Sequence, residues 1–294
     1  MYPKAIESYF VPTQVSEVLA LLQQHGEHVK LLAGGQSLMP LMKLRLAEPQ
    51  ALIDLNHVAS LGDIKEKDGC LHIGALARHA DIAVHPLLQQ SYALLADAAR
   101  NIGDPQIRNR GTIAGSLVHA DPAADYPPAV MALDGRLAIA KADGSRRTIS
   151  AADFIGGPLM SDIAEDELVT RIEIPTPAPS SGGAYAKHSQ VAGDFATISV
   201  AVQVTLDSAG TCLQAAIVVG GVMPKPCWAN QVAALLRGKK LDDGLLTQAG
   251  EAAAQEVETD DDVRASALYR TQLIRVSVPT VIRHALARAE KGSA

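Results

Sequence analysis

The sequence predicts an α+β fold, with α/β subdomains first and then a small antiparallel sheet carrying helices. Three observations carry that expectation. The chain opens with a helical apolar stripe and a short apolar strand that stops at Gly34–Gly35. Residues 175–183, PTPAPSSGG, concentrate Pro, Ser and Gly, and no apolar period crosses them. Beyond that break, two long β-rich runs precede three helical stretches.

Each element has its own signal. Val15, Val18, Leu19 and Leu22 share one helical face and predict a helix over 13–25, capped by Thr13 or Ser16 and ended by Gly26. HVKLLA (28–33) and ALIDL (51–55) read as short buried strands. CLHIGA (70–75) is a further strand, and 77–83 gives a helical turn or two. Residues 91–102 read as a helix with Leu94, Leu95, Ala98 and Ile102 on one face. RLAIAKA and SRRTIS flank Asp143–Gly144, a two-residue hairpin signal that calls for positive φ. LVTRIEI (168–174) is a strand closed by Pro175. FATISVAVQVTL (195–206) and CLQAAIVVGG (212–221) predict an antiparallel hairpin. Helices follow near 228–237, 242–257 and 265–289, completing a C-terminal domain of about one hundred residues.

Composition narrows the function classes. A chain of 294 residues predicts two or three domains, and 48% apolar with 20% charged residues predicts a folded one. The net charge of −6 argues against a nucleic-acid binder, which shows a basic surplus. Few aromatics (3 Phe, 1 Trp, 6 Tyr) leave no stacking platform for single strands. Cys70, Cys212 and Cys227 are scattered without a CxxC, so no cysteine-ligated metal centre is expected and a reducing cytosol fits. The N-terminal MYPKAIESYFVPTQ lacks the apolar stretch of a signal peptide, and no run approaches the roughly 20 apolar residues that cross a bilayer. The expectation is a soluble cytoplasmic protein.

Four stretches bear on chemistry. In LLAGGQSLMP (31–40) a strand runs into two glycines, where successive N–H groups form an anion nest and Ser37 adds a hydroxyl; by itself it also reads as an ordinary tight turn. NRGTIAGSL (109–117) again combines small residues with hydroxyls, and Arg108 and Arg110 add cations; by itself it is equally a glycine-rich loop with solvated arginines. Together they suit one diphosphate clasped from two subdomains, which fits FAD held between lobes better than NAD in one βαβ unit. HADPAADYPP (119–128) reads as a rigid proline-bounded loop. Its Asp125 is a candidate to accept from a ribose hydroxyl, and a metal set of His119, Asp121 and Asp125 is the weaker alternative. In YAKHSQVAGDF (185–195), Lys187 is either a surface strand lysine or a fixed charge facing a flavin or phosphate, and Phe195 either joins the core or flanks a planar ring. No GxSxG, HExxH or nucleophile–base pair appears, so any chemistry must come from a cofactor.

LLAGGQSL (31–38) and GTIAGSLVHADPAAD (111–125) resemble the two FAD signatures of the flavoprotein (medium) subunits of molybdenum hydroxylases, a family that includes aerobic carbon monoxide dehydrogenase and the central domain of xanthine dehydrogenase. The likeness extends to DELVTRIEIP (166–175) and to SALYR (266–270) on the last helix. It implies a PCMH-type FAD-binding domain over 1–176, with subdomains of about 1–57 and 58–176, and a C-terminal flavoprotein domain over 177–294. Leu31, Leu32, Ala33, Gly34, Gly35, Gln36, Ser37 and Leu38 would wrap the FAD pyrophosphate from one side. Thr112, Ile113, Ala114, Gly115 and Ser116 would wrap it from the other, with Ala114 standing where Gly is common. The resemblance puts Ile102 and Gly103 in the flavin cleft and Asp125 near the adenosine or ribitol end. Val169 falls at a backbone contact, Lys187 at a cleft lysine, and Phe195 where some relatives set a Tyr against the isoalloxazine. The benzoyl-CoA-type branch, with its cysteine-ligated iron–sulfur insertion, does not match the three scattered cysteines.

The resemblance implies an electron-transfer subunit. FAD would take electrons from a small [2Fe–2S] partner subunit and pass them to an external acceptor, NAD⁺ or a quinone. A large molybdopterin partner subunit would hydroxylate the substrate, with carbon monoxide, N-heterocycles and aldehydes all open. Two alternatives remain at this point: a self-contained FAD-dependent oxidoreductase acting on a small organic molecule, and a non-catalytic nucleotide-binding subunit.

Overall fold

A computed structural model describes residues 2–222 and 224–291. The first lobe holds β1 (Ser8–Phe10), α1 (Val15–His25), β2 (Val29–Leu32), α2 (Leu38–Lys43) and β3 (Ala51–Asp54). Its sheet is parallel in the order β1-β3-β2. The stripe on α1 buries Val18, Leu19 and Leu22, as its spacing requires. The cap differs from expectation: the helix starts from Gln14, not Thr13 or Ser16. The Glu17 carboxylate reaches back to accept the N–H groups of Thr13 (2.7 Å) and Gln14 (3.3 Å), orphan donors that a shorter hydroxyl side chain does not take here.

The second lobe begins with β4 (Ile64–Lys67) and β5 (Cys70–Gly74). A helical layer follows: α3 (His79–Val84), α4 (Pro86–Ser91), α5 (Ala93–Asn101), α6 (Pro105–Arg108), α7 (Ile113–His119) and α8 (Tyr126–Ala132). The chain then returns through β6 (Arg136–Lys141), β7 (Arg146–Ser150), α9 (Ala151–Phe154), the small β8 (Ile155–Gly157) and β9 (Met160–Ser161) pair, and β10 (Glu167–Pro175). The main sheet, β4-β5-β10-β6-β7, is antiparallel throughout. The register of β10 against β6 shifts between Val169 and Arg171, a bulge in the central strand.

Several local expectations are corrected here. The helix expected over 91–102 ends at Asn101, and Ile102 leaves it extended (φ −75°, ψ 120°). The hairpin at Asp143–Gly144 closes through three loop residues, because only Gly144 takes positive φ (+85°) while the Gly144 N–H returns to the Lys141 carbonyl. The glycine-rich stretch after Gly111 is a helix rather than a loop: Thr112 Oγ1 accepts the Gly115 N–H at 3.3 Å and caps α7. The proline-bounded loop also yields to a helix, since Pro127 and Pro128 occupy the first turn of α8, where a missing N–H costs nothing. All seven residues of α8 are buried.

The third unit holds β11 (Ser181–His188), β12 (Ile198–Leu206), β13 (Cys212–Gly220), β14 (Cys227–Trp228), α10 (Asn230–Leu236), α11 (Asp243–Glu256) and α12 (Ala267–Lys291). Its strands pair antiparallel in that order. Both faces of this sheet are covered, so β12 and β13 read as nearly continuous apolar runs. Ile198, Val200, Val202 and Val204 pack toward α10–α12, while Ala201 and Val218 join the core beneath the helical layer. The SALYR arginine fastens the end of this sheet. Arg270 is buried, donates to the Thr197 carbonyl (3.1 Å) and the Asp260 carbonyl (2.6 Å), and pairs with Asp262 at 2.7 Å. No helix among the described residues is long and apolar enough to cross a membrane.

Candidate cofactor-binding cleft

A cleft of about 630 Å³ opens where the three units meet. That size falls within the roughly 300–1,000 Å³ usual for small-molecule and cofactor sites. Its floor and walls come from the bend after β2, from α7 and from the ends of β10 and β11.

The first bend lies between β2 and α2. Leu31, Ala33, Gly34, Gly35, Gln36, Ser37 and Leu38 all line the cleft. Leu32 does not; its side chain packs beneath the bend, where a Cβ on Gly35 would fall 3.2 Å from Leu32 Cδ1. Gly35 adopts φ +73°, a conformation that favours glycine. Among the described residues, the N–H groups of Gly34, Gly35, Gln36 and Ser37 donate to no acceptor within the chain. Four successive free donors in a turn form a concavity for an anion.

The second segment packs directly on the first. A Cβ placed on Gly34 would fall 2.5 Å from the Arg110 carbonyl oxygen and 2.7 Å from the Gly111 Cα. Two backbones therefore touch across the boundary between the first two sheets, and no side chain fits between them. Thr112, Ala114, Gly115 and Ser116 line the cleft, whereas Ile113 turns into the core, fully buried. Most backbone donors of this segment are already used: Ile113 N–H goes to Ala77 O, Ala114 N–H to Ala75 O, Gly115 N–H to Thr112 Oγ1 and Ser116 N–H to Thr112 O, leaving, among the described residues, only the Thr112 N–H free within the segment. Its contribution is close approach by small residues and the Ser116 hydroxyl, not a second nest. Arg108 and Arg110 do not line the cleft. The Arg108 guanidinium donates instead to the carbonyls of Ile102 (2.9 Å) and Gly103 (3.0 Å), fixing those two cleft residues.

The remaining expected residues also converge here. Ile102, Gly103, Asp125, Val169, Lys187 and Phe195 line the cleft, with Val169 delivered by the β10 bulge. Lys187 is no surface lysine: its side chain is 4% exposed, and its Nζ donates to the Asn101 carbonyl (2.5 Å) and to Asp125 Oδ2 (3.1 Å). Tyr185 OH donates to Asp125 Oδ1 at 2.6 Å. Burial pushes the Asp125 carboxyl up, and the Lys187 charge and the Tyr185 hydroxyl oppose that rise. Phe195 is not a core residue. It is 46% exposed at the cleft edge, with the Arg264 guanidinium 5.3 Å from its ring centroid.

His79 is a cleft residue that the sequence did not flag, because nothing in the RHAD run sets it apart from an ordinary helix start. Its ring fills the space left by the absent side chain of Gly111, and its Nδ1 is buried without a partner. Burial, with the charges of Arg78 and Arg108, lowers its pKa to about 4, so the imidazole is neutral at physiological pH. Gly193 and Asp194, beside Phe195, also escaped notice, since a loop has no periodicity to expose them. His119 and Asp121 lie on the same wall, but among the described residues no group of three His, Cys, Asp or Glu side chains is arranged to hold a metal.

The donor set fits a dinucleotide diphosphate. Free backbone N–H groups lie beside a close-packed glycine junction, the wall is largely apolar, and the buried Lys187 and Asp125 charges are paired with each other. Comparison with known proteins agrees. Residues 4–177 match the family described as the FAD binding domain in molybdopterin dehydrogenase, and residues 183–285 match the CO dehydrogenase flavoprotein C-terminal domain. The chain is 37% identical over 281 residues to the alpha subunit of the 6-hydroxypseudooxynicotine dehydrogenase complex of Paenarthrobacter nicotinovorans, which covers 96% of this chain and 95% of that one. It is 37% identical over 288 residues to the carbon monoxide dehydrogenase medium chain of Hydrogenophaga pseudoflava, covering 98% and 99%. Its fold matches a solved structure of carbon monoxide dehydrogenase from Hydrogenophaga pseudoflava with a TM-score of 0.92, at 38% identity and 98% and 99% coverage. Relatives of this kind are medium chains or subunits of multi-subunit dehydrogenases, and FAD is the cofactor that the family binds. The chain belongs to the FAD-binding medium subunits of the molybdenum hydroxylases, a family of oxidoreductases.

Proposed function

We propose that the cleft holds FAD across the glycine junction and that this chain is the electron-transfer subunit of a hydroxylase with two further subunits. The contact of Gly34 with Arg110–Gly111 carries the reading, because it brings both signature segments to one wall. When bound, FAD exchanges electrons with a [2Fe–2S] centre of a small partner subunit and with an external acceptor, NAD⁺ or a quinone. The hydroxylated substrate belongs to a molybdopterin centre on a large partner subunit.

The chain's own residues bind and orient. The N–H groups of Gly34, Gly35, Gln36 and Ser37 receive the diphosphate, and the Ser116 hydroxyl adds a donor from α7. Leu31, Ala33, Leu38, Ala114 and Gly115 shape the walls beside it, Leu32 and Ile113 back them from behind, and Thr112 fixes α7 through its cap. Ile102, Gly103 and Val169 line the flavin portion, and Phe195 offers a ring at its edge. Asp125, held by Lys187 and Tyr185, keeps lone pairs for a ribose or ribityl hydroxyl. The Lys187 charge, neutralised in part by Asp125, sets the local potential.

The domain division at about 176/177 belongs to the same reading, supported by the two family matches over 4–177 and 183–285. A further split near residue 57 is supported by the separate sheets on either side of it. A cytoplasmic location is supported by three unpaired cysteines. The test is direct. The purified chain should be yellow, with the visible bands of oxidised flavin, and should carry FAD released by denaturation. A colourless chain that takes up no added FAD overturns the proposal. Copurified chains containing iron–sulfur and molybdenum test the partners.

A further inference from the structure

Two side chains outside the cleft hold the two bends in register. The Asn56 Nδ2 donates to the Ala33 carbonyl at 3.0 Å, the residue just before Gly34. The Arg78 guanidinium donates through NH1 to the Arg110 carbonyl, the residue just before Gly111. The two side chains also meet each other: Arg78 NH2 donates to Asn56 Oδ1 at 2.5 Å. The chain of bonds therefore runs from one bend to the other, Ala33–Asn56–Arg78–Arg110, and spans the boundary between the two lobes.

Its orientation is set from behind. Asp54 Oδ1 accepts both the Asn56 N–H (3.0 Å) and Asn56 Nδ2 (2.5 Å), which fixes the amide with its oxygen toward Arg78. Tyr9 OH in turn donates to Asp54 Oδ2 at 2.6 Å. Neither Asn56 nor Arg78 lines the cleft. Both anchored groups are backbone carbonyls one residue before the glycines that touch, so a shift of either carbonyl moves its glycine.

Resting on the FAD reading above, we propose that Asn56 and Arg78 are positioning residues that set the spacing of the diphosphate clasp. Arg78 serves here as a fork and not as a point charge, since two separate acceptors take its two terminal nitrogens. The free N–H groups of Gly34 to Ser37 receive the diphosphate only while the facing wall is held at its present distance.

The test measures FAD affinity of the purified full chain, stripped of flavin and retitrated by fluorescence quenching, for the wild type, Asn56→Ala, Arg78→Gln, Arg78→Lys and the double variant Asn56→Ala/Arg78→Gln. Thermal unfolding of each flavin-free chain is recorded beside it. The expected result is a loss of at least about tenfold in affinity for each single variant. The double variant should lose no more than the worse single one, because the two residues act as one device. Arg78→Lys should stay as weak as Arg78→Gln. Recovery by lysine overturns the proposal, since charge alone would then suffice. Unchanged affinity alongside a lowered unfolding temperature also overturns it, by showing a brace for the fold only. A wild-type chain that binds no FAD refutes the cofactor reading instead, which keeps the two failures apart.

Discussion

Lys187 Nζ on β11 lies 3.1 Å from Asp125 Oδ2 at the head of α8, and both side chains are more than nine-tenths buried. This pair joins the third sheet to the helical layer at the cleft wall. Removing one member strands the other. Lys187→Met is expected to destabilise the flavin-free chain by about 3–5 kcal/mol, because an unpaired buried carboxylate remains. The double variant Lys187→Met/Asp125→Asn should regain part of that loss. Urea denaturation of the three chains checks it, and equal stability of single and double variants would contradict it.

Gly34 tests the junction itself. Gly34→Ala pushes a methyl group into the Arg110 carbonyl, a backbone atom that cannot rotate away. The expected cost is about 1–3 kcal/mol in stability, with FAD affinity falling more than tenfold. Gly62→Ala is the control for added bulk, since Gly62 lies outside the cleft, has a φ of −98° and its Cβ would meet only the Ala59 carbonyl oxygen, at 3.6 Å. It should keep FAD affinity near the wild-type value.

His79 makes stability depend on pH in a stated direction. Its folded pKa is about 4 against 6.5 when free, so between those values the unfolded chain holds a proton that the folded one excludes. Stability from this group is complete above pH 6.5 and is lost as pH falls toward 4, by up to about 3 kcal/mol. Denaturation midpoints of the wild type and His79→Gln, measured from pH 7 to 4, should show a shallower decline in the variant. Parallel curves would refute the assignment.

Arg270 gathers the Thr197 and Asp260 carbonyls and the Asp262 carboxylate. Arg270→Ala leaves the two carbonyls short of donors and is expected to cost about 2 kcal/mol. It should also loosen the loop that carries Phe195, read as faster amide exchange over residues 189–197. Unaltered exchange there would show that the arginine serves only the α12 end.

The sequence by itself determined six of the twelve helices among the described residues, most of the longer strands, the break after Pro175 and both glycine segments. Each of these is written locally, as an apolar period, a hairpin glycine or a run without side chains. It did not determine β1 or β4, which are short and leave most of their residues exposed, so their apolar periodicity is weak. Only the tertiary structure decided what the segments do together. It turned Leu32 and Ile113 away from the cleft and consumed the Ile113 and Ala114 backbone donors of the second segment in contacts with Ala77 and Ala75. It also buried Lys187 against a carboxylate 62 residues away. Those outcomes depend on which faces meet across three sheets, and a hydrogen bond between distant residues has no period along the chain for a reader to find.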